Sequence, residues 1–265
     1  MVSTPTSLPG FWLSLAAIAA YAVPALGIRH LTPPSARLAL RCAWVLHGLA
    51  LAFHLLSSPP HFGFGPALSI TAWLVLTVYA VEQQMFPQMR VRWTLAALGA
   101  VAVVVALIFP GQPLHAMASA WLPLHLALGI ACYGLFAAAV VHAALMSQAE
   151  QRMRAGAESD SGMPLLLLER LTFRFVTAGF ILLTATLMAG WLFGDQLYGR
   201  TWRWNHKEVF SLLSWIVFAV LLIGRSRFGW RSHYAVRMIY AGALLLLLAY
   251  VGSRFVMEVV LQKLS

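Results

Sequence analysis

Leu171–Phe193 reads LTFRFVTAGFILLTATLMAGWLF, with Arg174 its only charge. As a helix rising about 1.5 Å per residue it reaches roughly 34 Å, enough to cross a hydrocarbon core of about 30 Å. Working outward, apolar runs of the same kind recur, separated by Pro, Gly, Ser and charge clusters. They predict helices at Leu8–Ile28, Leu40–Leu56, Ala67–Val81, Trp93–Phe109, Trp121–Met146, Val209–Ile223 and Met238–Val260. With Leu171–Phe193 this makes about eight. The expected fold is an all-α polytopic membrane protein, a bundle of about eight transmembrane helices. The alternating segments of a membrane barrel are missing.

Composition agrees. Of 265 residues, 61% are hydrophobic and 10% charged, against about 25% charged in a soluble domain. The mean hydropathy is +0.79. These values exclude a soluble enzyme, a disordered chain and a disulfide scaffold. The net charge of +10 is spread over short loops with no basic tract, so nucleic acid is not an expected partner. Cys42 and Cys132 each stand alone, without C-x-x-C or C-x-x-C-H. P-loop, H-E-x-x-H and G-x-S-x-G motifs are absent. No Lys or Arg precedes the first apolar run, which favours a retained helix over a cleaved signal.

Charge sets the orientation. Arg200, Arg203, Lys207, Arg254 and Lys263 fall on one side of the predicted bundle and the remaining thirteen of 18 Lys and Arg on the other. The richer side should face the cytoplasm. Both termini then lie on the outer, periplasmic side of a bacterial inner membrane, together with the loops Ser57–Pro66, Pro110–Ala120 and Gly194–Glu208. The whole of 1–265 is read as a single membrane domain. Helices 1–5 occupy 8–146, a solvated cytoplasmic connector 147–170, and helices 6–8 with an unusual outer loop, 194–208, fill 171–265.

That loop runs Arg200-Thr201-Trp202-Arg203-Trp204-Asn205-His206-Lys207-Glu208. Interfacial tryptophans are ordinary membrane anchors. This set also matches a large flat ligand, apolar in the middle and anionic at one edge. Indole faces can stack on such a macrocycle, and Arg and Lys can pair with carboxylates at its rim. Haem has this shape. His47, His54 and His125 lie within helices, where an ionisable side chain is a functional candidate. His47 and His54 are seven apart and share one helix face, about 10 Å apart along the axis. His125 and His142 are seventeen apart, roughly 26 Å in rise, and cannot share one iron. Each histidine could equally serve as a hydrogen-bonded packing group.

The loop and the run that follows, with Phe210 and Trp215, resemble the tryptophan-rich W-x-W-D-x-K-E motif of the cytochrome c assembly haem-handling family (CcsA, CcmC and CcmF types), and most closely its YpjD/HemX-like inner-membrane branch. The resemblance is clearest from Trp121 onward. It implies a multi-pass protein that binds b-type haem non-covalently and presents it at the outer face. Thioether formation would then occur on another chain, so no catalytic residues are expected here. His125, with Tyr133 two turns on, resembles the family's first outer ligand histidine, and His54 is the second metal candidate. Trp202, Trp204, Asn205 and His206 would form the haem-facing flap. Arg200, Arg203 and Lys207 would meet the propionates, and His47 completes the cofactor-binding set. Asn205 replaces the family's Asp. Gly224 and Arg225 stand where the family has an inner histidine, and 238–265 contains none. Expected partners are the lipid bilayer and a cytochrome c assembly partner or another membrane protein. Two other readings are an accessory protein of HemX type, regulating haem biosynthesis through the 147–170 loop, and an ion or proton carrier using His47 and His54.

Overall fold

The structure is a computed structural model that describes residues 8–27, 31–56, 61–86, 93–113, 122–156, 164–194, 206–230, 232–252 and 255–256. Eight α-helices are described: α1 Leu8–Gly27, α2 Pro33–Leu56, α3 Phe64–Met85, α4 Trp93–Ile108, α5 Leu122–Arg154, α6 Leu165–Leu192, α7 His206–Phe228 and α8 Ser232–Leu247. A π-helical turn, Leu248–Gly252, continues α8. Seven of these segments are long and apolar enough to cross a membrane; α4 is the shorter one, rising about 24 Å. The all-helical, multi-pass expectation is met.

Most helices outrun their apolar stretches. α2 starts at Pro33, α5 continues to Arg154 and α6 starts at Leu165. Of the 147–170 segment read as a solvated connector, residues 147–154 and 165–170 are therefore helical. Long polar side chains with good helix propensity, Gln148 to Arg154 among them, extend α5 once the membrane segment has nucleated it. The chain divides into two compact units, 1–115 and 116–265. The break thus falls before α5, because α5 packs along α6.

In the first unit α1 packs on α2 and α4, and α3 on α4. A polar ladder ties α1 to α2. Ser14 meets His54 at 3.3 Å, and Tyr21 meets His47 at 3.1 Å. Ser14 and Tyr21 are seven apart, as are His47 and His54, so antiparallel helices bring both pairs into register. Between the rungs Ala17 and Ala50 are buried, the small residues that let membrane helices approach closely. α2 is locked to α3 by stacked Trp44 and Trp73, 5.4 Å apart at 5°. The Trp44 indole donates to Thr77 Oγ1 (2.9 Å), and that of Trp73 to the Trp44 carbonyl (3.0 Å).

A short antiparallel ladder, His61–Phe62 (β1) with Gln112–Pro113 (β2), joins the loops before α3 and after α4. Both loops were assigned to the outer side, and their pairing puts them on one side. Next to it Gly65 lets α3 abut α4: a Cβ there would lie 2.3 Å from the Phe109 carbonyl oxygen. Backbone cannot yield as a side-chain tip can. Gly65→Ala is expected to destabilise the protein by about 3 kcal/mol, the upper range for overpacking. Thermal denaturation in detergent would measure this, and an unchanged midpoint would refute the close-packing argument.

The second unit is centred on stacked Phe136 (α5) and Phe218 (α7), 3.9 Å apart at 11°. Gly179 on α6 and Gly242 on α8 face these rings, where added Cβ atoms would come within 3.1 Å of Phe136 and 2.7 Å of Phe218. Cys132, Ala139, Val176, Leu221 and Ile239 complete the core around them.

Candidate functional site

The rotation of α7 decides where its first residues point. Trp215 donates to Thr184 Oγ1 on α6 (2.9 Å) and stacks on Phe180. Ser214 donates to the Gly242 carbonyl on α8 (2.8 Å). Lys207 is seven residues before Ser214, on nearly the same face, at about 100° per residue. It therefore also faces α8, and its Nζ lies 5.7 Å from the centre of the Tyr250 ring. An ammonium over an aromatic face is attracted by the ring quadrupole.

Tyr250 belongs to the π-turn, a geometry often found at functional sites. Its ring meets Tyr133 edge-on, 6.2 Å between centres. The Tyr133 hydroxyl donates to the Leu246 carbonyl (2.6 Å), just where α8 gives way to the π-turn. His125, two turns before Tyr133 on α5, is half-buried. One end of the second unit thus gathers an imidazole, an ammonium and two phenol rings from α5, α7 and the turn after α8. These groups suit a ligand with a metal centre, a flat apolar body and an anionic rim. Among the described residues no group of three or more His, Cys, Asp or Glu could hold a bare metal ion, so a cage for a free cation is not what they build.

Of the site residues expected from sequence, Lys207 lies over Tyr250, and His125 lies two turns before Tyr133, which meets that ring. His206 is exposed at the start of α7. Arg200, Trp202, Arg203, Trp204 and Asn205 lie outside the described residues. His54 and His47 belong to the first unit, with the partners given above. His47 has partners at both ring nitrogens, because Nε2 also meets Ser69 Oγ on α3 at 2.8 Å. His142 is buried, with Nδ1 2.9 Å from the Ala138 carbonyl oxygen. Sequence reasoning missed Tyr250. Its place depends on α7 and α8 packing in register, and no local pattern marks it.

Where the family resemblance led one to expect an inner histidine, Trp230 folds over Gly224. Its N–H donates to the Gly224 carbonyl (3.2 Å). A Cβ on Gly224 would sit 2.2 Å from the indole, so a larger side chain does not fit under this turn. Gly229, at φ +64°, supplies the left-handed residue that ends α7.

The model of the family "Cytochrome C assembly protein" matches residues 35–261. The chain belongs to this family. Among relatives, it is 27% identical to the inner membrane protein YpjD of Escherichia coli strain K12 over 243 residues, covering 88% of this chain and 89% of that protein. It is 28% identical to the cytochrome c biogenesis protein CcsA of Synechococcus sp. strain RCC307 over 161 residues, 52% of each chain. With CcsA of Prochlorococcus marinus strain NATL1A it shares 34% identity over 85 residues, 32% of this chain and 27% of that one. The matched stretch thus spans 52% of one of these CcsA proteins and 27% of the other. The chain is a multi-pass inner-membrane protein of the cytochrome c assembly family.

Proposed function

We propose that this protein binds haem non-covalently at the outer end of its second unit and presents it to a partner in cytochrome c assembly. His125 would hold the iron through its imidazole. Lys207, with Arg200 and Arg203 of the preceding loop, would pair with the propionates. Trp202 and Trp204 would cover the porphyrin face, next to Asn205 and His206. The bound haem supplies the vinyl groups that become thioethers on another chain, and this protein's own residues only bind, orient and shield it. The observation that supports the reading is that Lys207, from the tryptophan-rich motif, lies 5.7 Å from the centre of the Tyr250 ring, which meets Tyr133, two turns along α5 from His125. His47 and His54 are not used, since the ladder between α1 and α2 accounts for them.

The test is an absorption spectrum of the full-length protein purified in detergent, before and after adding haem. The expected result is a Soret band that saturates at a fixed ratio of haem to protein. A colourless protein that ignores added haem would overturn the proposal and favour an accessory role without a bound cofactor.

A further inference from the structure

A groove of about 620 Å³ lies at the other end of the second unit, lined by Arg170, Phe173, Arg174 and Ile181 of α6 and by Arg225 of α7. Its depth follows from length. Counting about 20 residues back from Leu192, the span of a hydrocarbon core, reaches Phe173 on α6; counting about 20 forward from His206 reaches Arg225 on α7. These two residues touch, with the Arg225 guanidinium 4.6 Å from the centre of the Phe173 ring. Both helices therefore put the edge of the hydrocarbon at one level, and Arg170 and Arg174 bracket it. This is the end of the bundle that basic residues assign to the cytoplasm.

The groove's charges are unbalanced. Its carboxylate, Glu169, is paired with Arg225 at 2.5 Å, and Arg225 also donates to the Trp230 carbonyl (3.3 Å). Arg170 and Arg174 are exposed, one turn apart on the same face, with no acidic partner among the described residues. Below them the face turns apolar. Ile181 is 61% exposed on a helix inside the membrane, so this surface meets acyl chains. Two guanidiniums at headgroup level above an apolar stripe match a molecule with an anionic phosphate and hydrocarbon tails.

We propose that this groove is a binding site for an anionic phospholipid, with Arg170 and Arg174 gripping the phosphate and an acyl chain lying along Ile181. Arg225, neutralised by Glu169, forms the back wall. A basic pocket between membrane helices on the cytoplasmic side is physically suited to such headgroups. The inference is independent of the haem reading.

The test is native mass spectrometry of the full-length protein in detergent, titrated with phosphatidylglycerol or with phosphatidylcholine carrying the same acyl chains. Phosphatidylglycerol is expected to bind the wild-type protein at least about tenfold more tightly. Each arginine near the surface should contribute about fivefold, so Arg170→Gln with Arg174→Gln should weaken that binding by about 25-fold and leave phosphatidylcholine unaffected. Arg227→Gln, outside the groove, should change it less than about twofold. Equal binding of the two lipids by the wild-type protein would overturn the proposal, whether or not the double variant folds. So would an equal loss in Arg227→Gln, which would mean diffuse surface charge. Displacement of the lipid by millimolar inorganic phosphate would mean a site for a free anion, and would also overturn it.

Discussion

His125→Ala is expected to abolish the Soret band of the haem-loaded protein while leaving the helical bundle folded. Alanine has no donor for iron, so the bond from the protein in the proposed site would be lost rather than weakened. The structural cost is small by comparison. His125 is half-buried near the start of α5, away from the stacked Phe136–Phe218 centre of the second unit. The midpoint of thermal unfolding without haem should therefore change by no more than the equivalent of about 1 kcal/mol. Added imidazole should restore part of the band by occupying the vacated place, a rescue that a purely structural role would not produce. An unchanged spectrum in His125→Ala would remove this residue from the site.

His47→Ala is expected to do the reverse. Its ring is bonded on both sides, to Tyr21 at 3.1 Å and to Ser69 at 2.8 Å, and so joins α1, α2 and α3. A neutral imidazole has one donor and one acceptor, which two hydroxyls can satisfy in either tautomer. Truncation leaves both hydroxyls buried without this partner and opens a cavity. Interhelical hydrogen bonds in membranes average only about 0.6 kcal/mol. The unsatisfied hydroxyls, at roughly 1–3 kcal/mol each, and the cavity should outweigh that figure. The expected loss is about 3 kcal/mol, read as a lower thermal midpoint, with haem stoichiometry unchanged in the fraction that remains folded. Combining His47→Leu with Tyr21→Phe and Ser69→Ala should recover much of the stability, because no polar group is then stranded. A stable His47→Ala protein that had lost its Soret band would instead make His47 a haem ligand.

These two histidines are hard to tell apart in sequence. Each sits in an apolar helix, and a lone imidazole in such a run fits a ligand or a packing group equally well. Only the register of α1 against α2 distinguishes them, by bringing Ser14 and Tyr21 opposite His54 and His47. The helical ends of the 147–170 segment were not legible for a related reason. Apolar periodicity marks where a helix is buried, not where it ends, and α5 and α6 run into polar sequence.

The sequence by itself determined that this chain is helical and crosses a membrane many times. Backbone groups in hydrocarbon must be satisfied within each segment, so length and hydropathy suffice for that inference. It also revealed the family, because the tryptophan-rich motif is local and read from consecutive residues. The tertiary structure alone decided which polar side chains meet. Lys207 reaches Tyr250 because bonds from Ser214 and Trp215 fix the rotation of α7. Such contacts join residues far apart in the chain, and their energies depend on packing that no local pattern encodes.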